Sequence, residues 1–314
     1  MENLIFSLNA TLPIFLVMLL GGALGHFGFL PKAFCAAADK LVFRVTLPVM
    51  LFCDMAQLDL ATGFEPGFVL FCAVATAISI VVIWALSHAL LKDKTLTGEF
   101  VQACYRSSAA VLGMAFMQNI FGSANAMAPL MILGSVPLFN IFAVLILTTE
   151  NPALHGKPDA KQVLRGVATN PIIWGILLGT LYSLLPFGLP TIAEKTLSSL
   201  SALTTPLALL SIGAGFEGPK AIKKLGPTLA AALCKLVILP AVFLPAAVAL
   251  GFRGAELVAL LIMLGSPTTP SAYVMAKSMG HEGVLTGSTI AATTLLSALS
   301  ITAWLFVLRS LGCL

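Results

Sequence analysis

Ten stretches of about twenty apolar residues follow one another along this chain, and lipid is the solvent that suits so many of them at once. They run Ile5–Phe27, Phe34–Met55, Gly67–Leu91, Phe100–Phe121, Asn125–Leu147, Val167–Leu185, Leu197–Phe216, Leu225–Leu250, Leu257–Met279 and Val284–Leu308. Each matches the roughly 20 residues that a helix needs to cross the hydrocarbon core. A β-barrel would show short alternating segments instead. Only 10% of the residues are charged, against roughly 25% in soluble domains. A water-exposed surface so poor in charge would aggregate. The expectation is an all-α integral membrane protein of ten transmembrane helices. The basic residues are scattered and the formal charge is only +4, so no nucleic-acid footprint is read. The first run is read as a span and not a leader, because Glu2 stands where a basic region belongs and the run is too long.

Basic residues in short loops orient such a chain. The loops after spans one, three, five, seven and nine carry Lys32, Lys92, Lys94, Lys157, Lys161, Arg165, Lys220, Lys223, Lys224 and Lys277. The opposite face carries Lys195, Arg253 and Arg309. The bias places the first face in the cytoplasm, and both termini outside, for a multi-pass protein of the plasma (inner) membrane.

The chain also repeats itself. Pro13 and Pro171, Gly21 and Gly179, Phe29 and Phe187, Thr46 and Thr204, Pro48 and Pro206, Leu51 and Leu209, and Gly122 and Gly280 are each 158 positions apart. Residues 1–147 form a first five-helix unit, 148–166 a cytoplasmic linker and 167–314 a second unit. Five is odd, so the second unit starts from the opposite side. Two inverted repeats are a common plan of secondary transporters.

Transporter sites form where helices break near the midplane and freed backbone groups face a cavity. Span nine reads Gly265-Ser266-Pro267-Thr268-Thr269-Pro270-Ser271 at its centre. Two prolines remove two backbone donors, and the hydroxyls offer replacement partners. Span four, its repeat partner, holds Ser107, Ser108 and Gly113 but no proline; a milder break is expected there. Thr46-Leu47-Pro48 and Thr204-Thr205-Pro206 form a second matched pair. A threonine there can bond the carbonyl that the proline frees, and the pair could line the same cavity or merely shape symmetric kinks.

Lys235 lies about ten residues into span eight, where insertion costs roughly 2.5–3.5 kcal/mol. It must pair, face water or snorkel. Arg44 and Arg106 stand nearer the cytoplasmic face and can snorkel more easily. No acidic residue falls mid-span, Asp54 being nearest. Buried positive charge without buried carboxylates favours an anionic substrate. Gly21 with Gly25, and Gly175 with Gly179, read as close helix contacts. The six cysteines and four histidines show no metal spacing. No GxxxxGK[ST], GxSxG or HExxH occurs. Neither an enzyme, a metal nor a cofactor is expected.

With these residues in hand, the chain resembles the auxin efflux carrier family, which includes plant PIN-FORMED carriers and bacterial malonate-type permeases. The likeness covers essentially the whole chain. It rests on the five-plus-five layout, on Leu41-Val42-Phe43 through Leu47-Pro48 to Leu51-Phe52, and on Thr205-Pro206-Leu207-Ala208-Leu209 through Gly213-Ala214. Lys235 with Pro240, and Ser266-Pro267-Thr268 through Tyr273-Val274-Met275-Ala276, complete it. The resemblance implies a scaffold of helices one, two, six and seven. It also implies a transport unit whose broken helices four and nine cross at the site, and small organic anions as substrates. It maps the site onto Ser108, Gly113, Pro267 and Ser271. Ser108 and Ser271 stand where the family often has Asn, and Ala115 where it has Pro.

The function expected is an alternating-access carrier, elevator or rocking, for a small organic anion. The alternatives are a sodium-coupled symporter of a related fold and a non-transporting ligand sensor. A homodimer is a candidate assembly.

Overall fold

The computed structural model describes residues 2–57, 65–121, 127–152, 160–185 and 188–314. Gly122, Phe187 and Lys157 fall outside them, so two of the matched pairs and one loop charge have no structural counterpart here. Among the described residues every regular element is helical. The first half contains α1 (Glu2–His26), α2 (Lys32–Leu41), α3 (Leu47–Ala56), α4 (Pro66–Leu90), α5 (Thr97–Tyr105), α6 (Ala109–Phe121) and α7 (Met127–Thr149). The second contains α8 (Ala160–Ala168), α9 (Pro171–Ser183), α10 (Thr191–Ala202), α11 (Thr204–Ala214), α12 (Gly218–Lys223), α13 (Leu225–Leu233), α14 (Leu239–Ala249), α15 (Ala255–Gly265), α16 (Ser271–Ser278) and α17 (Val284–Ser310).

Six helical runs are long and apolar enough to cross a bilayer: Leu8–His26, Pro66–Leu90, Met127–Thr149, Thr191–Ala214, Leu225–Ala249 and Val284–Ser310. The other four expected spans depart from that standard for physical reasons. The run from Lys32 to Ala56 is helical throughout but carries Lys32, Asp39, Lys40, Arg44 and Asp54. α9 has only 13 residues. The remaining two are each interrupted. Large apolar side chains cover the outside, including Leu16, Leu20, Val81, Val82, Leu86, Leu229 and Val242. Such a surface is stable against lipid and not against water.

Prolines shape the long runs. A π-helical turn, Val42–Thr46, precedes Leu47-Pro48, and another, Cys234–Ile238, precedes Leu239-Pro240. A proline has no N–H and crowds the carbonyl four residues back, and a widened turn relieves both. For Pro240 that carbonyl is Leu236, which accepts from Trp304 Nε1 at 3.0 Å.

Within the fold α1 packs on α11, and α3 packs on α9. Both contacts are made by glycine meeting backbone. A Cβ on Gly21 would lie 2.5 Å from the Leu210 carbonyl oxygen, and one on Gly179 would lie 2.5 Å from that of Phe52. Neither carbonyl can retreat without moving a helix. These contacts are related by the same 158-residue shift, since Gly179 follows Gly21, and Leu210 follows Phe52, by that distance. α5 and α15 also begin 158 residues apart, at Thr97 and Ala255.

α15 is apolar all round, and Leu257 through Gly265 are all buried. It therefore sits inside the protein, not against lipid. Gly21→Leu and Gly179→Leu should each destabilise the protein by about 1–3 kcal/mol or more. Gly→Ala at either position should fall between. Thermal unfolding in one detergent would read this as a lowered midpoint for all four variants, with leucine the worse at both sites.

Candidate functional site

The helix that would be span four stops at Tyr105 and restarts at Ala109. The one that would be span nine stops at Gly265 and restarts at Ser271. The two interruptions touch, because the Ser108 N–H donates to the Pro267 carbonyl at 3.0 Å. The milder break expected in span four is a complete loss of helix over residues 106–108. Pro267 and Pro270 extend the second interruption to 266–270, since neither can donate a helical bond.

Four half-helix ends therefore meet. Those of α5 and α15 are C-terminal and expose carbonyls; those of α6 and α16 are N-terminal and expose N–H groups. Lys235 answers the first pair. Its ammonium is fully buried and donates to the Tyr105 carbonyl at 3.1 Å and the Met263 carbonyl at 3.2 Å. A cation beside two helix C-termini is favourable on both counts. The snorkelling considered for Lys235 does not occur; the π-helical turn turns it inward instead.

The second pair of ends borders a cavity of about 40 Å³, room for a few waters at most. Ser107, Ser108 and Ala110 line it from the start of α6, and Thr269 and Ser271 from the start of α16. Met50, Leu51 and Asp54 of α3, with Val136, Phe139 and Asn140 of α7, complete it together with Arg106. Arg106 is the residue that sequence reading misplaced. It is 3% exposed and does not snorkel. Its Nη2 donates to Asn140 Oδ1 at 2.7 Å and to Ser271 Oγ at 3.1 Å. Its Nε and Nη1 are buried without a partner. Unsatisfied guanidinium nitrogens are costly to bury, so a site beside them favours an acceptor-rich guest.

The other expected residues divide. Ser271 accepts from Arg106, and its Oγ lies 3.3 Å from Thr269 Oγ1. The Ser107 hydroxyl is unpartnered in the cavity wall. Thr268 faces elsewhere: its hydroxyl donates to the Ala103 carbonyl at 2.8 Å, and its N–H to Thr293 Oγ1 at 3.1 Å. Those bonds hold the interruption to α5 and α17. Ser266 is buried with no partner and outside the cavity lining. Pro270 opens α16, and Gly113 gives room to the Met131 side chain. Thr46, Pro48, Thr204, Thr205 and Pro206 do not line the cavity. The Thr46 and Thr204 hydroxyls bond no carbonyl, so these matched pairs are helix-shaping positions; Pro48 lends its carbonyl to the close contact with Gly175. α3 does reach the cavity, through residues one turn further on.

Buried carboxylates exist, against expectation: Asp39 and Glu99. Asp54, half-buried, lines the cavity itself. Glu99 is 1% exposed and accepts from the Gly283 and Thr286 N–H groups at 2.9 and 3.0 Å, and from Thr286 Oγ1 at 2.9 Å. It caps α17 from the first turn of α5. It stands just ahead of the Phe100–Phe121 apolar run, outside the spans read from the sequence.

A larger cavity of about 310 Å³ lies between the α2 and α11 ends on one side and α16 and α17 on the other. Tyr273, Lys277 and Asp39 line it, with Lys220, Glu217 and Glu282 at its rim. Lys220 bridges Glu217 and Glu282, and Lys224 also bonds Glu282. The two lysines hold the Glu282 carboxyl below its usual range, and Lys220 does the same for Glu217. These exposed pairs contribute little stability.

The membrane transport protein family matches residues 6–305. An uncharacterized transporter of Methanothermobacter thermautotrophicus is 24% identical over 96% of this chain and 98% of its own length. Another, from Methanocaldococcus jannaschii, is 25% identical over the same shares of both chains. An auxin efflux carrier component of Oryza sativa subsp. japonica is 31% identical over 48% of this chain and 25% of its own length. The family match spans nearly the whole sequence, and the chain belongs to this membrane transport family of auxin-efflux-carrier type.

Proposed function

We propose that the chain is a carrier that moves a small organic anion across the membrane, held by its carboxylate at the meeting point of the two interrupted helices. The observation that carries this is Arg106, buried in the cavity wall with two nitrogens unpartnered. The N-terminal ends of α6 and α16 add positive potential to the same space. Ser107, Ser108, Thr269 and Ser271 supply hydroxyls to orient the guest. Lys235 acts from behind, as the tie between the opposite ends. It stabilises the arrangement that the guest needs without touching it.

The wider architecture fits a carrier. We read the chain as ten spans in two inverted repeats, 1–147 and 167–314, joined by 148–166. The equal spacing of α5 and α15, and the shift-related contacts at Gly21 and Gly179, support that reading. α1, α2, α3, α9, α10 and α11 would form a scaffold. The rest, with both interruptions, would form the moving unit. About 40 Å³ is too little for a carboxylate with a carbon skeleton. Loading therefore requires the Met50–Asp54 wall of α3 to part from the interruptions, which is a scaffold-against-unit motion.

Arg106→Gln should leave a folded, monodisperse protein and lower affinity for small carboxylates at least tenfold, read by thermal shift or calorimetry over a panel of mono- and dicarboxylates. Unchanged affinity would remove the cavity from the site. Lys235→Met should instead lower the unfolding midpoint strongly, because two buried helix ends lose their common donor. If that protein is as stable as the parent but binds no anion, Lys235 is a ligand group and not a tie. With the charge bias placing α8 in the cytoplasm, a cysteine at Lys161, in a background lacking other reactive thiols, should resist impermeant maleimide in intact cells. Ready labelling from outside would reverse the orientation.

A further inference from the structure

Asp54 is unexplained by an anion site. It lines the same 40 Å³ cavity as Arg106, yet no ion pair joins the two among the described residues. Among the described residues no hydrogen bond reaches its carboxylate either, although Arg106, in the same wall, has two unpartnered nitrogens. Arg106 is held back by Asn140 and Ser271, both on its own side of the cavity. Asp54 stands on α3, across from it. A guanidinium and a carboxyl group thus face one small space without bonding each other. For a simple carboxylate, Asp54 is a like charge beside the guest and weakens binding. For a guest carrying both charges on adjacent atoms, each wall group finds a partner.

We propose that the guest is an α-amino acid, whose carboxylate meets Arg106 and whose ammonium meets Asp54. This deepens the proposed carboxylate carrier and rests on it: the cavity and the anchor are the same, and Asp54 adds selection for the ammonium. The arrangement is chemically economical. The buried site stays neutral when filled, because Arg106 and Asp54 balance each other and the zwitterion carries no net charge. The Ser271 hydroxyl, which accepts from Arg106, keeps its own proton to donate to a carboxylate oxygen. No residue of α6, α7 or α16 that lines the cavity is acidic, so among the described residues Asp54 is the wall's one carboxylate for an ammonium. Because Asp54 belongs to α3 and Arg106 to the interruption, both grip the guest only in the conformation that brings those elements together. Selection for the ammonium would then act on one face of the membrane.

The test uses the purified full-length protein near neutral pH and matched ligands that differ at one group: alanine against lactate and propionate, and aspartate against succinate. The expected result is at least tenfold tighter binding of the amino member in at least one series. Asp54→Asn should bring the members of that series within about threefold of one another, while Arg106→Gln weakens them all. The wild-type comparison alone can overturn the proposal, whatever the variants do to folding. If lactate, propionate or succinate binds as tightly as its amino partner or tighter, and does so through Arg106, the amino-acid assignment fails and the carboxylate carrier stands. If those compounds tighten as pH falls, and Asp54→Asn reproduces the gain at neutral pH, Asp54 is a proton site and the assignment also fails. If no member of either series binds and Arg106→Gln changes nothing, both readings fall together.

Discussion

One buried ammonium holds the centre of this protein together. Lys235 donates to the last carbonyl of α5 and to one in the final turn of α15. Helix C-termini carry partial negative charge and unpaired acceptors, and two of them inside a membrane protein would repel one another. A single cation between them converts that repulsion into a joint. Its burial costs several kcal/mol, and the protein recovers this only through carbonyls that would otherwise be orphaned. The π-helical turn that carries Lys235, and the proline after it, are the local devices that point it inward.

The joint sorts the polarity of everything around it. With the C-terminal ends tied on one side, the N-terminal ends of α6 and α16 are left facing the small cavity, and Arg106 reinforces their sign. Thr268 and the Ser108–Pro267 bond fix the two interruptions to each other and to their neighbours. The backbone at that depth is irregular, but it is buried in protein, which is the condition under which a membrane tolerates it. The helices outside this centre have a simpler task. They present Leu, Val and Ile to lipid and approach one another through glycine where backbones must touch. A tight centre among apolar surfaces suits the proposed movement of one unit against another.

Periodic features were readable from the residues alone. Continuous apolar runs announced the membrane, and Pro267 and Pro270 announced the interruption in the second half. The interruption in the first half was harder, because Arg106-Ser107-Ser108 contains no proline. It is imposed by tertiary bonds, from Ser108 to Pro267 and from Arg106 to Asn140 and Ser271, that no local propensity reveals. Depth was the other failure. Arg106 and Glu99 lie near run ends, where charge usually reaches water, yet both are buried because the half-helices start and stop inside the protein. Thr46 and Thr204 erred in the opposite direction: their spacing matched, but their hydroxyls bond nothing. Equal spacing relates two positions and does not fix the work they do.

The most direct test of the account is a high-resolution structure of the protein in bromide, phased to locate the anion. Both helices should be interrupted, at 106–108 and 266–270, with Lys235 on the α5 and α15 carbonyls and a bromide peak beside the Arg106 guanidinium between the starts of α6 and α16. Unbroken helices through those residues, or a bromide on Lys235 with none at Arg106, would contradict it.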